Sequence, residues 1–455
     1  MEEKNYELTT RGKYAVGIGA ILLVLLLCFG FLAFGGSEPP ADYTGIWETH
    51  DKHWVYYEKG EVEDDYTGAA EGSVNKRQGT YYVNNGEVDL TYTGLGASEA
   101  GWVYFDKGVF DNTFTGFART GNDWYWVKDG VVDRSVTGTK SGTIEGETTW
   151  WYIEDGQAAL DFDGPAKTKS GICYFKNGKL DQNYSGIKLM DDTWYYFSKG
   201  RQDKKYKGIS TNEEGVWFVQ NGKVDFNYTG KVTHLGRTYK VKNGVVGNGK
   251  AVYLTFDDGP GQYTGQLLGI LDHHKVKATF FVTGFFKNYL DCLEREARAG
   301  HTIGVHTYTH DYEKIYKSTK DYWKDFEQME NLIQQHTGKR TSYFRFPGGS
   351  SNVISEKYSE GIMTKLVKEA DKKGYIYYDW NVLSGDSGDT RDPDKIYKNI
   401  VKGCAKHTHS VVLCHDIHEF TVNAMDKTIA KLLKQGYVLL PLDESTPTVH
   451  QHVNN

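Results

Sequence analysis

Residues 251–260 read Ala251-Val252-Tyr253-Leu254-Thr255-Phe256-Asp257-Asp258-Gly259-Pro260. The apolar run that opens the stretch reads as a buried strand. Gly259 and Pro260 stop it and force a turn. Two adjacent carboxylates, Asp257 and Asp258, therefore stand at a strand end, where an α/β barrel or open sheet carries its chemistry. Neighbouring side chains on a strand face opposite ways. Both carboxylates reach one site only if the backbone bends there, and Gly259-Pro260 can supply the bend. Taken alone, the stretch reads equally well as a strand closed by an Asp-rich turn.

The chain around it favours chemistry. Beyond a junction at 231–250, short apolar runs alternate with amphipathic segments. Strands are predicted at 252–256, 278–283, 302–306, 342–346, 375–380, 410–415 and 437–441. Helices are predicted between them, for example over 285–299, stopped by Gly300, and 355–373, stopped by Gly374. This alternation implies a parallel sheet, open or closed into an irregular barrel.

Polar groups cluster where those strands end. The third strand runs into His306-Thr307-Tyr308-Thr309-His310. Histidines at i and i+4 share one face of a helical turn and can reach one metal, although such a pair alone is a weak signal. The fourth strand leads to Arg345-Phe346-Pro347-Gly348-Gly349, the fifth to Asp379-Trp380-Asn381 with Asp386 nearby, and the sixth to Cys414-His415-Asp416. Each has a plain structural explanation: a surface arginine, a core tryptophan, a capped strand end. With Asp257-Asp258, five such clusters at the ends of seven predicted strands exceed coincidence.

In this order the stretches resemble the five motifs of the NodB-type polysaccharide deacetylases (carbohydrate esterase family 4), over roughly 250–442. The resemblance implies a distorted (β/α)7–8 barrel and metal-dependent removal of N-acetyl groups from polymers. It implies Asp258, His306 and His310 as the metal ligands, Asp257 as general base and His415 as general acid. Arg345 matches the arginine that holds the base, and Asp386 the carboxylate paired with the catalytic histidine. The cation implied is zinc, with cobalt, nickel or manganese as alternatives. The chain departs from the pattern at Leu383, where many members carry aspartate, at Ser387 in place of a frequent tryptophan, and at Gly348 in place of a frequent tyrosine.

Upstream, from 43 to 249, the sequence repeats about every 22 residues. One glycine series closes Tyr-Thr-Gly-like triplets, as at Gly208 and Gly230; a second marks turns, as at Gly200, Gly222 and Gly244. Aromatic strands flanking an Asn-Gly or Lys-Gly turn predict β-hairpins stacked in an array. These units resemble the cell-wall-binding repeats related to choline-binding repeats, which implies an all-β hairpin solenoid holding wall glycan or choline. Trp54-Tyr56 and Trp194-Tyr196 are the most favourable cage pairs, while Tyr81 and Tyr174 stand in place of tryptophans; the alternative is that the aromatics are core throughout and the array a spacer. Residues 41–230 carry 30 Asp and Glu against 20 Lys and Arg. The net of ten negative charges attracts a cation such as choline.

At the N-terminus, Tyr14 to Phe34 is an apolar run without a charge, long enough to cross a bilayer. Arg11 and Lys13 precede it, so residues 1–13 stay cytoplasmic. An uncleaved anchor at 14–34 is expected, then a linker, 35–42, the repeats, 43–249, the deacetylase-like domain, 250–442, and a tail, 443–455. The five cysteines are scattered and form neither a disulfide framework nor a metal pair. A net charge of −7 without a basic block argues against nucleic acid.

The sequence thus predicts a membrane-anchored, extracytoplasmic, wall-associated deacetylase of an N-acetylated glycan, with peptidoglycan foremost. The alternatives are an O-acetyl xylan esterase and a wall-binding surface protein with an inactive barrel.

Overall fold

The structure, a computed structural model, describes residues 38–455. The expected anchor at 14–34 lies outside the described residues. Among the described residues no helix is long and apolar enough to cross a membrane. The chain divides into two units between Asn112 and Thr113.

Both units contain hairpin repeats of one design. In one repeat Gly186–Met190 pairs antiparallel with Thr193–Ser198, which pairs in turn with the two-residue strand Arg201–Gln202. That short strand also pairs with the preceding repeat, through Arg201 and Cys173. Stacking is thus built into the backbone. The turns are of the primed type that matches strand twist: Asn221 and Gly222 have φ of 54° and 69°. Glycine is required there for a second reason. A Cβ on Gly222 would lie 2.2 Å from the Asp203 carbonyl of the preceding repeat.

The triplet tyrosines pack inward. Tyr206 stacks on Tyr196 at 3.7 Å and donates its hydroxyl to the Ile209 carbonyl at 2.6 Å. In the first unit Tyr66 stacks on Tyr56 at 4.0 Å. Tyr56 and Tyr196, singled out as cage residues, therefore each have one face covered by a neighbouring ring. Some remaining faces meet the protein's own cations, such as Lys223 at 5.1 Å from the Tyr195 ring.

From residue 251 the second unit forms a parallel sheet: β1 (Ala251–Asp257), β2 (Thr279–Val282), β3 (Thr302–Val305), β4 (Tyr343–Phe344), β5 (Ile376–Tyr377), β6 (Val382–Leu383), β7 (His409–His415) and β8 (Val438–Leu439). The order is β5-β4-β3-β2-β1-β7-β6, with β8 beside the start of β1. The two ends of this order, β5 and β6, are halves of one stretch. The Tyr378 N–H bonds to Phe344, and the Asn381 N–H to Val411. The ring therefore closes through 378–381 as an irregular barrel. The β6 strand was not expected, because two residues carry no readable period.

Helices cover the outside: α1 (Thr264–His273), α2 (Asp291–Arg298), α3 (Tyr312–Ile315), α4 (Thr319–Thr337), α5 (Ile362–Lys373), α6 (Pro393–Cys404) and α7 (Glu419–Lys434). The helix expected over 285–299 is a 3₁₀ turn, Lys287–Tyr289, followed by α2. That expected over 355–373 is broken by Gly361, whose φ of 70° cannot continue a helix. Gly374 caps α5 as anticipated, at φ 75°.

All seven residues of β1 are buried, as a strand covered on both faces must be. Val252, Leu254 and Phe256 pack against the helices. Ala251 and Tyr253 instead share a core with Val216, Phe218, Val232 and Tyr239 of the last repeats. Tyr239 donates to the Leu439 carbonyl at 3.1 Å, and Arg237 to the His274 carbonyl at 2.7 Å. The repeats thus pack at the N-terminal ends of β1 and β8. The residues of 443–455 are also tied down: His450 stacks on Tyr377 at 3.9 Å, and the Gln451 N–H bonds to Asp379 at 2.8 Å.

Candidate active site

The strand ends opposite the repeats gather the titratable side chains. Asp257 closes β1. The bend between the carboxylates occurs at Asp258 itself, with φ of 72°, one residue before the expected Gly259-Pro260. Asp257 is buried and accepts a hydrogen bond from Arg345 Nη1 at 2.7 Å. Burial pushes its carboxyl up to about 6, although Arg345 and His415 pull the other way.

Arg345 is fully buried rather than a surface cation. Its Nε donates to the Tyr378 carbonyl at 2.8 Å, Nη1 also to Thr255 Oγ1 at 2.8 Å, and Nη2 to the Asp379 carbonyl at 2.9 Å. The guanidinium lies 4.3 Å from the centre of the Phe281 ring. These contacts fix the fork, so the position of Asp257 is fixed with it.

Asp258, His306 and His310 present one ligand atom each, all within 4.8 Å of one another. The Nε2 atoms of His306 and His310 lie 3.6 and 3.4 Å from Asp258 Oδ1. The histidines do not share a helical turn, as their spacing suggested. They sit in an irregular loop in which Thr307 and His310 have φ of 70° and 51°. His306 Nδ1 donates to the Arg345 carbonyl at 2.8 Å, which turns Nε2 towards the carboxylates. Burial and the neighbouring His310 hold His306 well below the usual imidazole range, in the neutral form a metal requires. Asp258 Oδ1 is buried without a hydrogen-bond partner. Two imidazole nitrogens and an orphaned carboxylate oxygen fit a divalent cation. The other ligand-like cluster among the described residues, His273, His274 and Asp426, has no such orphan; there His274 Nε2 and Asp426 Oδ1 satisfy each other at 2.8 Å.

His415 ends β7. Its Nδ1 lies 2.9 Å from Asp386 Oδ1, and its N–H donates to Asp386 Oδ2 at 2.7 Å. Thr421 Oγ1 donates to the same oxygen at 2.8 Å. Nε2 is left facing the site, 3.9 Å from Asp258 Oδ2. Burial alone would lower the His415 pKa, but the bond and charge of Asp386, with Asp258 and Asp257 beyond, raise it to about 9. Burial likewise opposes ionisation of Asp386, but His415 holds its carboxyl below the usual range.

All seven residues named from the sequence are thus brought to one end of the barrel. Thr255 and Thr421, which orient Arg345 and Asp386, were missed; a lone threonine late in a strand or in the first turn of a helix gives no signal. Asp379 is occupied elsewhere, accepting from the Ser350 N–H at 2.8 Å and from Gln451. Asp416 accepts from Thr264 Oγ1 instead of joining the cluster.

The polysaccharide deacetylase family profile matches residues 244–364. The choline-binding repeat profile matches 113–133, 139–158 and 205–225. The chain is 35% identical over 194 residues to a peptidoglycan-N-acetylglucosamine deacetylase of Bacillus cereus, covering 41% of this chain and 67% of that protein. It is 30% identical over 200 residues to the peptidoglycan-N-acetylmuramic acid deacetylase PdaA of Bacillus subtilis, covering 43% and 71%. The solved catalytic domain of a peptidoglycan N-acetylglucosamine deacetylase from Eubacterium rectale is 46% identical, with a TM-score of 0.45, over 45% of this chain and 94% of that one. On these sequence matches, whose family profile takes in Asp257, Asp258, His306, His310 and Arg345, the chain belongs to the polysaccharide deacetylase family and carries choline-binding repeats ahead of its deacetylase domain.

Proposed function

We propose that this chain is a metal-dependent hydrolase that removes N-acetyl groups from a cell-wall polysaccharide, with peptidoglycan as its substrate. The carrying observation is the arrangement of Asp257, on Arg345, and His415, on Asp386, both beside the Asp258–His306–His310 triad. The peptidoglycan assignment rests on the Bacillus relatives, whose names specify that polymer.

A divalent cation held by Asp258, His306 and His310 supplies Lewis-acid polarisation of the acyl carbonyl and acidifies a water molecule. Asp257 takes the proton of the attacking water; its partial desolvation makes it a stronger base than an exposed aspartate. The water oxygen adds to the acetyl carbon, giving a tetrahedral species. As the C–N bond breaks, its electron pair leaves with nitrogen, and His415 Nε2 delivers a proton there. Asp386 on Nδ1 keeps that imidazole charged and correctly turned. The products are acetate and a free amine, so the glycan gains a positive charge at neutral pH. The apolar run at 14–34 anchors the chain in the membrane with residues 1–13 cytoplasmic and the repeats and deacetylase domain extracytoplasmic, and the repeats hold wall glycan or choline, raising the local substrate concentration.

The test is acetate release by the full-length chain, loaded with Zn²⁺ or Co²⁺, from N-acetylglucosamine oligomers, purified peptidoglycan and, as the ester control, acetylated xylan. Metal-dependent release from the first two supports the reading. No release from either of these overturns it, and release confined to acetylated xylan favours the ester-cleaving alternative.

A further inference from the structure

Tyr312 opens α3, two residues beyond His310. Its ring meets the His310 imidazole edge-on, with centroids 5.5 Å apart and planes at 75°. The next tyrosine, Tyr316, donates to the Pro347 carbonyl at 2.7 Å, so α3 is docked against the loop at 347–349. Gly348 in that loop has φ of 77°, and a Cβ on it would lie 2.7 Å from Tyr312 Oη. The phenol therefore fills the room a side chain at 348 would need, between the metal-binding histidine and the Gly348 backbone. Tyr312 is half-buried, and no protein group among the described residues hydrogen-bonds its hydroxyl. That contrasts with Tyr206, Tyr239 and Tyr316, whose hydroxyls all donate to backbone carbonyls.

We propose that the Tyr312 hydroxyl donates a hydrogen bond to the acyl oxygen of the substrate and stabilises the negative charge that develops there. The proposal rests on the deacetylase reading and adds a residue to it. Amide hydrolysis places charge on that oxygen, and donors aimed at it are the largest single source of rate in acyl transfer. Asp257 and Asp258 as carboxylates only accept hydrogen bonds, and Arg345 spends its donors within the protein. Tyr312 brings an unspent, neutral donor to the triad. Its stem is held by His310 and Tyr316, so little ordering remains when the substrate arrives. Gly348 is the matching half of the device, because only a residue without a side chain leaves the hydroxyl its place.

The test compares the full-length wild type with Tyr312→Phe, both loaded with Zn²⁺, on N-acetylglucosamine oligomers and on 4-nitrophenyl acetate. Phenylalanine keeps the ring and its packing, so a space-filling role would not be felt. The expected result is a fall in kcat of about 100-fold with KM little changed, as for loss of one oxyanion donor. The fall should be similar for amide and ester, since both pass through the same oxyanion, and the Zn²⁺ affinity measured by calorimetry should not move. A variant retaining kcat within about twofold overturns the role of Tyr312 and leaves the deacetylase reading standing. A loss confined to the amide, or one that tracks lost Zn²⁺, also overturns it. A wild type without metal-dependent acetate release removes both readings together.

Discussion

Asp257 and His415 are register partners at the ends of two adjacent parallel strands, β1 and β7. Paired residues in a parallel sheet share a face, so a carboxylate and an imidazole project side by side from the same rim. Their environments push their proton affinities apart, to about 6 for Asp257 and about 9 for His415. A base must be unprotonated and an acid protonated. Activity should therefore rise with pH through the Asp257 value and fall through that of His415. A cation beside Asp257 favours its ionised form and moves the acid limb lower. Rate measurements at saturating Zn²⁺ from pH 4 to 10 check this; a single rising limb continuing past 10 contradicts the acid role of His415.

The Asp386–His415 bond makes a separable prediction. Replacing Asp386 with Asn removes the charge that raises the imidazole pKa. The basic limb of the profile should then shift down, towards the ordinary histidine value of about 6.5, and activity at pH 8 should fall at least about tenfold. An unmoved basic limb would assign that limb to another group.

Removal of the cation should silence the enzyme. Dialysis against a chelator should abolish acetate release, and Zn²⁺ should restore it. Asp258→Asn and His306→Ala should lower bound zinc, measured by elemental analysis, and activity in parallel. Asp257→Asn should instead keep the metal while losing about 100-fold or more in kcat.

Arg345 carries a stability prediction as well as a functional one. Arg345→Met leaves Asp257 buried without its partner, and breaking such a pair costs about 3–5 kcal/mol. Urea unfolding followed by tryptophan fluorescence should show the deacetylase-domain transition at clearly lower denaturant. A midpoint within error of the wild type would mean that Asp257 finds other compensation.

In the repeats, Gly222→Ala and Gly236→Ala separate conformation from crowding. Both positions have positive φ, at 69° and 84°, but a Cβ meets a carbonyl 2.2 Å away at 222 and nothing within 4 Å at 236. Gly236→Ala should cost about 1 kcal/mol, the left-handed penalty alone. Gly222→Ala should cost more, since the contact between repeats must open. Equal shifts in Tm would refute the crowding argument.

Much of this was legible in the sequence, for a physical reason. Strands buried on both faces announce themselves as unbroken apolar runs, and the chemistry of an α/β sheet stands where such runs stop. That logic reached the stretches that hold Asp257, Asp258, His306, His310, Arg345, Asp386 and His415, and the resemblance to the NodB-type deacetylases singled those seven out from neighbours such as Asp379 and Asp416. It failed where long-range packing decides. The i, i+4 spacing of His306 and His310 suggested a helical turn, yet the loop takes left-handed conformations at Thr307 and His310. For Tyr56 and Tyr196, favoured as cage residues, sequence could not say that a neighbouring ring covers one face of each. Residues 443–455, set apart as a tail, are bound by Asp379, a residue more than sixty positions earlier. Tyr312 carries no local mark at all; its ring contact with His310, its unbonded hydroxyl and its place against Gly348 emerge only in the fold.

The core shared by the last repeats and the strand starts of β1 and β8 makes occupancy and folding one equilibrium. Whatever binds those repeats in the native state also holds the barrel together, by about 2.7 kcal/mol at a ligand concentration a hundredfold above Kd. If that ligand is wall glycan or choline, as proposed above, a molecule seated on the wall would be the sturdier one, and one that had drifted off it would unfold, and be cleared by proteases, more readily.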